Sequence, residues 1–515
     1  MGVRETFHRY RDPLYLLLLS IIFLGCYYYS FDYKVFLGGD NVYYYNLGKA
    51  LAEGKGYVTL NRPGLPLASH YPPGYPAIIA IVMTLFSQSI LTIKMLNGFL
   101  LFGSIMVCYY LFKRLSANSH IAFLVSTLLI LNSVILKYSS IMMSEIPFLF
   151  FSLLTLLIFL KTDRDISPFR QSYFYIFIFC LAIAYYIKTV GIALLGGFIL
   201  YFLFYRRWRW VLSTVVGFVV LALPWTIRNR LAGGGSYVHQ LLMVNPYRPE
   251  LGMAGLSDFA IRFWSNFQRY VAVEIPNGLF PSLKNSISAY GFTSWIIGIT
   301  ICLLIVFGIY KLKKYSILIG AYFISTFGIL LLWPQVWFGV RFIVPIIPLL
   351  FFCFLFGFHQ FINLLFHKFG RSSFWHPLYL LIFAIAFIPG LNQRNHQART
   401  SYPINWYTYI QMAKWTKKNT PQDAIISCRK PAIFYLFSNR KTFRFKDTPD
   451  NKKLLQDLKK HGTDYVVLDQ LGFSSTPRYL FPALKKYRDH FKTVLRGTKT
   501  KTYLLKFQSD TTHHE

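Results

Sequence analysis

Apolar runs close to 20 residues long recur from Leu14 to Leu391, and they decide what this chain can become. A helix needs about 20 apolar residues to cross the hydrocarbon core, where each backbone N–H and C=O must find its partner within the segment. The runs predict spans at 13–31, 91–112, 119–137, 146–160, 172–188, 190–205, 209–226, 291–310, 316–333, 342–362 and 374–391, about eleven in all. The stretch 173–205 would be roughly 50 Å long as one helix, too long for a single crossing, so it is split between Lys188 and Gly191. Charged residues make up only 14% of the chain, against about 25% in soluble domains. The expected fold class is an all-α polytopic membrane protein. Its first span follows Arg4, His8, Arg9 and Arg11 without a small-residue cleavage site, and is expected to be retained.

The basic residues give an expected orientation. With the N-terminus in the cytoplasm, Lys113, Arg114, Lys161, Arg164, Arg170, Arg206, Arg207, Arg209, Lys311, Lys313, Lys314, Lys368 and Arg371 all fall on cytoplasmic loops, as the positive-inside rule asks. An odd number of spans then puts the C-terminus outside a cytoplasmic (inner) membrane. The net charge of +34 is spread over these loops and a basic tail, where residues 392–515 hold 24 Lys and Arg against 9 Asp and Glu. Attraction to anionic lipid headgroups accounts for that distribution. No phosphate-binding glycine loop, zinc spacing or RNA-binding signature accompanies it, so no nucleic-acid partner is expected. Cys26, Cys108, Cys180, Cys302 and Cys353 fall within predicted spans and Cys428 is alone in the tail, which offers no disulfide framework.

Two regions are expected, a membrane domain (1–391) and an extracytoplasmic α/β domain (392–515). Outer loops occupy about 32–90 and 230–290. The first holds a predicted helix at 41–53 stopped by Gly54 and Gly56, the turn HYPPGYP at 70–76, and a short apolar helix at 77–86 that suits the interface better than a crossing. In the tail, 409–420 and 454–462 read as helices, and AIISC (424–428), DYVVLD (464–469) and TYLLKF (502–507) as strands. No internal repeat of the kind common in transporters is visible.

The chain has only 20 acidic residues, so each one beside the membrane is informative. Asp40 follows the first span in GGDNVYYYNLGKAL. It suits a helix N-cap, and equally a general base or a group that orients an acceptor hydroxyl. Tyr44, four residues on, shares its helical face. Glu145 opens the fourth span in MSEIPFLFF, where an acid favours the helix dipole and Ser144 can cap; it also suits a second carboxylate facing Asp40. Lys137, Lys188, Arg228, Arg230 and Arg341 sit at outer span ends, against the positive-inside rule. Any one could snorkel to headgroups. Together they suggest an anion held at the outer leaflet, with Arg341 the best placed chemically because guanidinium grips phosphate with two N–H groups. His70 and Tyr71 lie close enough in sequence to the Pro-Pro turn to reach the same pocket. Carboxylates, a phosphate site and apolar grooves suit group transfer from a polyprenyl-phosphate carrier, with Asp40 activating the acceptor and the cations stabilising the leaving phosphate. A transporter or flippase of lipid-linked sugars would use the same cations and grooves. A membrane scaffold with a partner-binding tail would leave Asp40 and Arg341 without a purpose.

The Asp40–Tyr44 loop, HYPPGYPAIIAIVMTLF (70–86), MSEIPFLFF (143–151), YYIKTVGIALL (185–195), PWTIRN (224–229) and VRFIVPIIPLL (340–350) resemble the C-type (GT-C) membrane glycosyltransferases. Within that group they resemble bacterial relatives of the protein O-mannosyltransferases and aminoarabinose transferases. The resemblance covers about 1–391, and the tail is similar to the extracytoplasmic domains such proteins carry. It implies a polyprenyl-phosphate-linked sugar donor and a hydroxyl acceptor on a lipid, glycan or protein. It implies catalytic acids at Asp40 and Glu145 and donor-phosphate contacts at Lys188 and Arg341. From the residues themselves, Arg228 and His70 join the phosphate contacts, and Tyr44 and Tyr71 face sugar or acceptor. Asn41 stands where relatives often have a second acid, and His70-Tyr71 precede the Pro-Pro turn where relatives have lysine. The resemblance covers branches with and without a divalent metal; the acids here cluster too sparsely to argue for one, and no cofactor is expected.

Overall fold

The computed structural model describes residues 3–234, 236–285, 288–368 and 376–509. Arg371, expected on a cytoplasmic loop, and the first residues of the span expected at 374 lie outside that set.

Among the described residues, the membrane part is built from helices joined by loops. Its helices are α1 (Val3–Ser30), α2 (Asn41–Ala52), α3 (Gly74–Leu85), α4 (Ile90–Ser116), α5 (Ser119–Ile130), α6 (Ser133–Ser139), α7 (Glu145–Phe159), α8 (Ser172–Ile187) and α9 (Ile192–Phe204). There follow α10 (Trp208–Leu231), α11 (Ser236–Leu242), α12 (Leu256–Arg269), α13 (Ile275–Leu279), α14 (Phe292–Lys311), α15 (Ser316–Leu332), α16 (Ile347–Lys368) and α17 (His376–Arg399). Among the described residues, six helices are long and apolar enough to cross a membrane, and a seventh crossing arises if α5 and α6 count as one bent span. The eleven predicted spans are therefore not all matched by helices of spanning length. α7 has 15 residues and α8 has 16; at about 22–24 Å each is short of a hydrocarbon core of about 30 Å.

The break between α8 and α9 falls where the sequence placed it, with Lys188 ending α8 and one 3₁₀ turn at Thr189–Gly191. The single span expected at 119–137 is instead two helices bent by 67°. Asn132 explains the bend. Its side-chain oxygen accepts from the N–H of Val134 (3.0 Å) and Ile135 (3.2 Å), capping α6, while its amide donates to the Gly278 carbonyl at 2.8 Å. A buried polar side chain that satisfies a new helix start makes two short helices cheaper than one continuous one. α14 and α16 approach most closely at Gly308 and Gly357. A Cβ on Gly308 would run into the Cys353 carbonyl, and one on Gly357 into that of Leu304. Small residues of this kind let helix backbones meet, a packing force that does not need water.

α17 continues to Arg399, so 392–399 belong to the last helix of the membrane part rather than to the tail. The tail proper holds α18 (Ile404–Asn419), β1 (Ile425–Ser427), α19 (Pro431–Ser438), β2 (Lys441–Phe443), α20 (Asn451–Lys460), β3 (Tyr465–Leu468), α21 (Phe481–Lys486), β4 (Phe491–Arg496) and β5 (Tyr503–Phe507). Its sheet runs β2-β1-β3-β5-β4. β1 pairs in parallel with both β2 and β3, and β5 is antiparallel to β3 and β4. α20 buries Leu454 and Leu458 against the sheet.

The tail sits directly on the loop that follows α1. Val35, Leu37 and Val42 share one buried apolar cluster with Tyr409, Ile410, Ile433 and Phe434. Polar ties surround it: Asn61 Nδ2 donates to the Thr442 carbonyl (3.1 Å), Lys441 Nζ to that of Leu60 (2.8 Å) and Tyr402 OH to that of Val35 (3.1 Å). The second long loop is also held, by Tyr479 OH donating to Glu250 Oε2 at 3.0 Å.

Candidate active site

The loop after α1 turns sharply at Gly38-Gly39 and delivers Asp40 to the start of α2. Gly39 has φ +62°, a conformation that side chains with a Cβ rarely adopt, and a Cβ there would come within 3.3 Å of Arg341 Nη1. Asp40 occupies the N-cap position of α2, yet its carboxylate makes no cap hydrogen bond. It turns instead to Arg341 and Tyr71. Arg341 Nη2 donates to Asp40 Oδ2 at 2.6 Å, and Tyr71 OH donates to Asp40 Oδ1 at 2.9 Å. The capping role open to this residue from sequence is not the one it plays.

Arg341 also joins the second acid. Its Nε donates to Glu145 Oε1 at 2.7 Å, and Lys188 Nζ donates to the same oxygen at 3.0 Å. Asp40, Arg341, Glu145 and Lys188 thus form one chain of charges, drawn from the first loop, the 3₁₀ turn before α16, the N-terminus of α7 and the α8–α9 break. Glu145 is fully buried, with its side chain 0% exposed, while that of Asp40 is 30% exposed. The cluster therefore has a closed floor and an open rim. Glu145 Oε2 is buried with no hydrogen-bond partner. Ser144, expected to cap α7, does not cap it; its hydroxyl pairs with Tyr44 OH at 3.1 Å.

Asn41 fixes the geometry from below. Its amide donates to the Phe36 carbonyl at 2.6 Å, and its oxygen accepts from the Met142 N–H at 2.9 Å. The two acid-bearing segments are thereby tied together by one side chain. Sequence reading passed over this role, although the adjacency of Asn41 to Asp40 carried the signal.

Electrostatics follow from these contacts. Burial alone would raise the Asp40 carboxyl. The Arg341 charge, the hydrogen bonds from Arg341 and Tyr71, and the nearby His70 outweigh it and hold the group below its ordinary value. Asp40 is therefore an anion at neutral pH. Burial lowers His70, against the pull of Asp40, so the imidazole is neutral near pH 7, and a phosphate contact of the kind expected at His70 would be a hydrogen bond rather than an ion pair.

The predicted site residues divide. Asp40, Glu145, Arg341, Lys188 and Tyr71 converge, and His70 lies beside them with its ring 4.6 Å from that of Tyr71. Tyr44 is only 4% exposed and lies under the carboxylates, rather than facing a ligand as expected. Arg228 is used elsewhere. Its guanidinium donates to the carbonyls of Ala68 and Tyr57 (3.0 Å for the latter) and stacks over the rings of Tyr57 and Trp225, pinning the first loop. Among the described residues, no group of three or more His, Cys, Asp or Glu is placed to hold a metal ion.

A polytopic helical part with a docked α/β tail gives this chain a fold similar to that of the C-type membrane glycosyltransferases. Comparison with known proteins agrees. Residues 54–243 match the family model of the dolichyl-phosphate-mannose-protein mannosyltransferases. Among solved structures, ArnT from Cupriavidus metallidurans in the apo state superposes with a TM-score of 0.62 at 13% identity, over 97% of this chain and 99% of that one. The same protein bound to undecaprenyl phosphate gives 0.61 at 13% identity, over 95% and 97%. The Archaeoglobus fulgidus oligosaccharyltransferase, tethered to an acceptor peptide containing the NVT sequon, gives 0.60 at 13% identity, over 97% and 74%. At such identity these are likenesses of fold. No curated protein sequence matches the chain.

Proposed function

We propose that the chain transfers a sugar from a polyprenyl-phosphate carrier to a hydroxyl acceptor at the outer face of the cytoplasmic membrane, by direct displacement with inversion. The observation that carries this reading is Arg341 bridging Asp40 and Glu145. Arg341 Nη1 makes no hydrogen bond among the described residues, and Lys188 Nζ has protons beyond the one given to Glu145. Both can meet a phosphate oxygen and stabilise the charge that builds on the leaving phosphate as the glycosidic bond breaks. Asp40, anionic and at the open rim, accepts the proton of the incoming hydroxyl as the new bond forms. The fold match to a protein solved with undecaprenyl phosphate supports a lipid phosphate donor. The family match over 54–243 supports a sugar as the group moved.

The donor set argues for cations of the chain, rather than a divalent ion, as the phosphate's partners. Asp40 is already held by Arg341 and Tyr71, and Glu145 by Arg341 and Lys188. A divalent cation would need several free oxygen ligands. Chelation with EDTA is expected to leave the rate within about twofold.

A flippase for lipid-linked sugars would need the same cations. The two readings separate in proteoliposomes carrying a polyprenyl-phosphate sugar on one leaflet. A transferase gives a new glycosidic product in the presence of a hydroxyl acceptor. Movement of intact donor between leaflets, with no product, would refute the transferase reading.

A further inference from the structure

Three helices end at one place beside the catalytic loop. α1 stops at Ser30, α6 at Ser139 and α17 at Arg399, and the three pack against one another in pairs. Lys34, Lys94 and Arg394 meet there around Asp32. Arg394 Nη1 pairs with Asp32 Oδ2 at 3.6 Å, and Lys34 Nζ with Asp32 Oδ1 at 2.9 Å. Lys34 Nζ also donates to the carbonyls of Gln397 (3.2 Å) and Ala398 (2.7 Å) in the last turn of α17. Lys94 is buried, and its Nζ donates to the carbonyls of Asp32 and Lys34. A helix C-terminus carries roughly half a negative charge, so three of them largely offset the two cations that Asp32 leaves over. The cluster joins segments of the chain and keeps little charge for a ligand.

The segments it joins are those of the site. Asp32 lies eight residues ahead of Asp40 on the first loop, and Ser140 five residues ahead of Glu145. Arg394 bridges them. Its Nη2 donates to Ser140 Oγ at 2.8 Å in a buried contact, while Nη1 faces Asp32. The path from Ser140 toward Glu145 is held along its length. Asn97, which accepts from Tyr75 OH at 3.0 Å, donates to the carbonyls of Ile141 and Met143 (3.2 Å for the latter), and Asn41 accepts from the Met142 N–H at 2.9 Å. A shift of Ser140 is therefore passed on toward Glu145 rather than absorbed by slack. Arg394 differs from these braces in its origin. It stands near the end of α17, which runs into the tail through 400–403, and Tyr402 OH ties that connection to the Val35 carbonyl at 3.1 Å.

We propose that Arg394 is a positioning residue for the transfer step: it sets the spacing of the segments that carry Asp40 and Glu145, and makes that spacing depend on the tail being seated. The proposal rests on the transfer reading above. In that reading Asp40 takes the proton of the incoming hydroxyl, while Lys188 and Arg341, both held on Glu145, meet the leaving phosphate. The two segments thus serve opposite ends of one displacement. Misplacing a reacting group by about 1 Å can slow such a step about 10²-fold. A planar guanidinium, with separate N–H groups, reaches Asp32 and Ser140 together. An ammonium in its place keeps the first partner and loses the second.

Three variants separate positioning from stability. Ser140→Ala removes one acceptor, Arg394→Lys keeps a charge beside Asp32, and Arg394→Gln removes that charge. In the purified full-length protein, hydrogen exchange at the Met142 amide is expected to quicken about fivefold in Ser140→Ala and Arg394→Lys, with the amides of β3 unchanged. The thermal midpoint should fall in Arg394→Gln and stay near the wild-type value in the other two. Affinity for undecaprenyl phosphate should remain within about threefold in all three. The transfer rate is read in membranes of the native host that lack the wild-type gene and carry each variant. It should fall at least about tenfold in all three. A rate that tracks the thermal midpoint, low in Arg394→Gln alone, would reduce Arg394 to a structural tie and overturn the proposal. Wild-type exchange at Met142 in Ser140→Ala would overturn it as well, and so would a loss confined to undecaprenyl phosphate affinity. Absence of glycosyl product from the wild type would instead count against the transfer reading. The exchange measurement uses no sugar donor and decides the coupling either way.

Discussion

At the scale of single residues, the account turns on how Arg341 sets the state of Asp40. Arg341→Gln leaves Asp40 partly buried without its main counter-charge, and Glu145 deeply buried with Lys188 alone. Removing one partner of a buried ion pair costs about 3 kcal/mol or more. The folded protein should lose that much in a thermal or denaturant titration, and the donor KM should rise at least about tenfold, roughly 1.4 kcal/mol. The pH dependence follows from the sign of the Asp40 shift. In the wild type the carboxyl lies below its ordinary value of 3.8. Its contribution to stability is present above that ordinary value and is lost as pH falls through the lower folded value. Between pH 5 and 8 Asp40 should add no slope to rate or stability. In Arg341→Gln, burial is no longer outweighed, the carboxyl rises, and the acid limb of the residual rate moves to higher pH. An acid limb at the same pH in both proteins would contradict this. The four charged members of the cluster were legible in the sequence because acids are scarce and basic residues at outer span ends break the orientation rule. Arg228 obeyed the same logic and was misplaced by it. Its role is set by loop carbonyls at Tyr57 and Ala68, which no spacing in the sequence announces.

At the scale of elements, the site exists because segments far apart in sequence are clamped together. Asn41 braces the first loop through Phe36 and ties it to the turn before α7 through Met142. Asn41→Leu keeps the volume and removes both bonds, leaving the Met142 N–H buried and unpaired, which costs about 1–3 kcal/mol. Because the Asp40 carboxylate would shift while Arg341 and Lys188 stay, kcat should fall by at least about tenfold with donor KM within about threefold. A rise confined to KM would count against this clamp. Helix positions were read well where a run of one period stood alone, as for α2 and the α8–α9 break. They were misread where a polar residue redirects the chain. Asn132 sits inside an apolar run at 119–137, and only its partner at Gly278 shows that it starts a new helix. In the tail, β2 has three residues and β4 is a half-exposed edge strand, too short or too mixed for a periodicity to register.

At the scale of the whole molecule, the tail is packed onto the loop that carries Asp40 rather than hung as an appendage. Leu37 is 9% exposed and lies in the cluster shared with the tail. Leu37→Asp places an unpaired charge in that seam and should speed proteolysis in the 400–403 connection, with loss of transfer; unchanged cleavage would show that the seam does not hold the domain. Orientation is tested at Leu67, which is 56% exposed on the same loop. Leu67→Cys should react with a membrane-impermeant maleimide in intact cells, and reaction only after lysis would place the loop on the cytoplasmic side. The docking of tail on loop was not legible, because it arises from apolar residues at 35–42 and 409–434 that each look like ordinary local core. The central claim is that Asp40 carries out the proton transfer while the basic residues hold the donor. A single-turnover comparison of wild type and Asp40→Asn with a saturating polyprenyl-phosphate sugar tests it most directly. The expected result is donor binding within about threefold and a transfer rate lower by about 10²-fold or more. Transfer by Asp40→Asn at the wild-type rate would contradict the account.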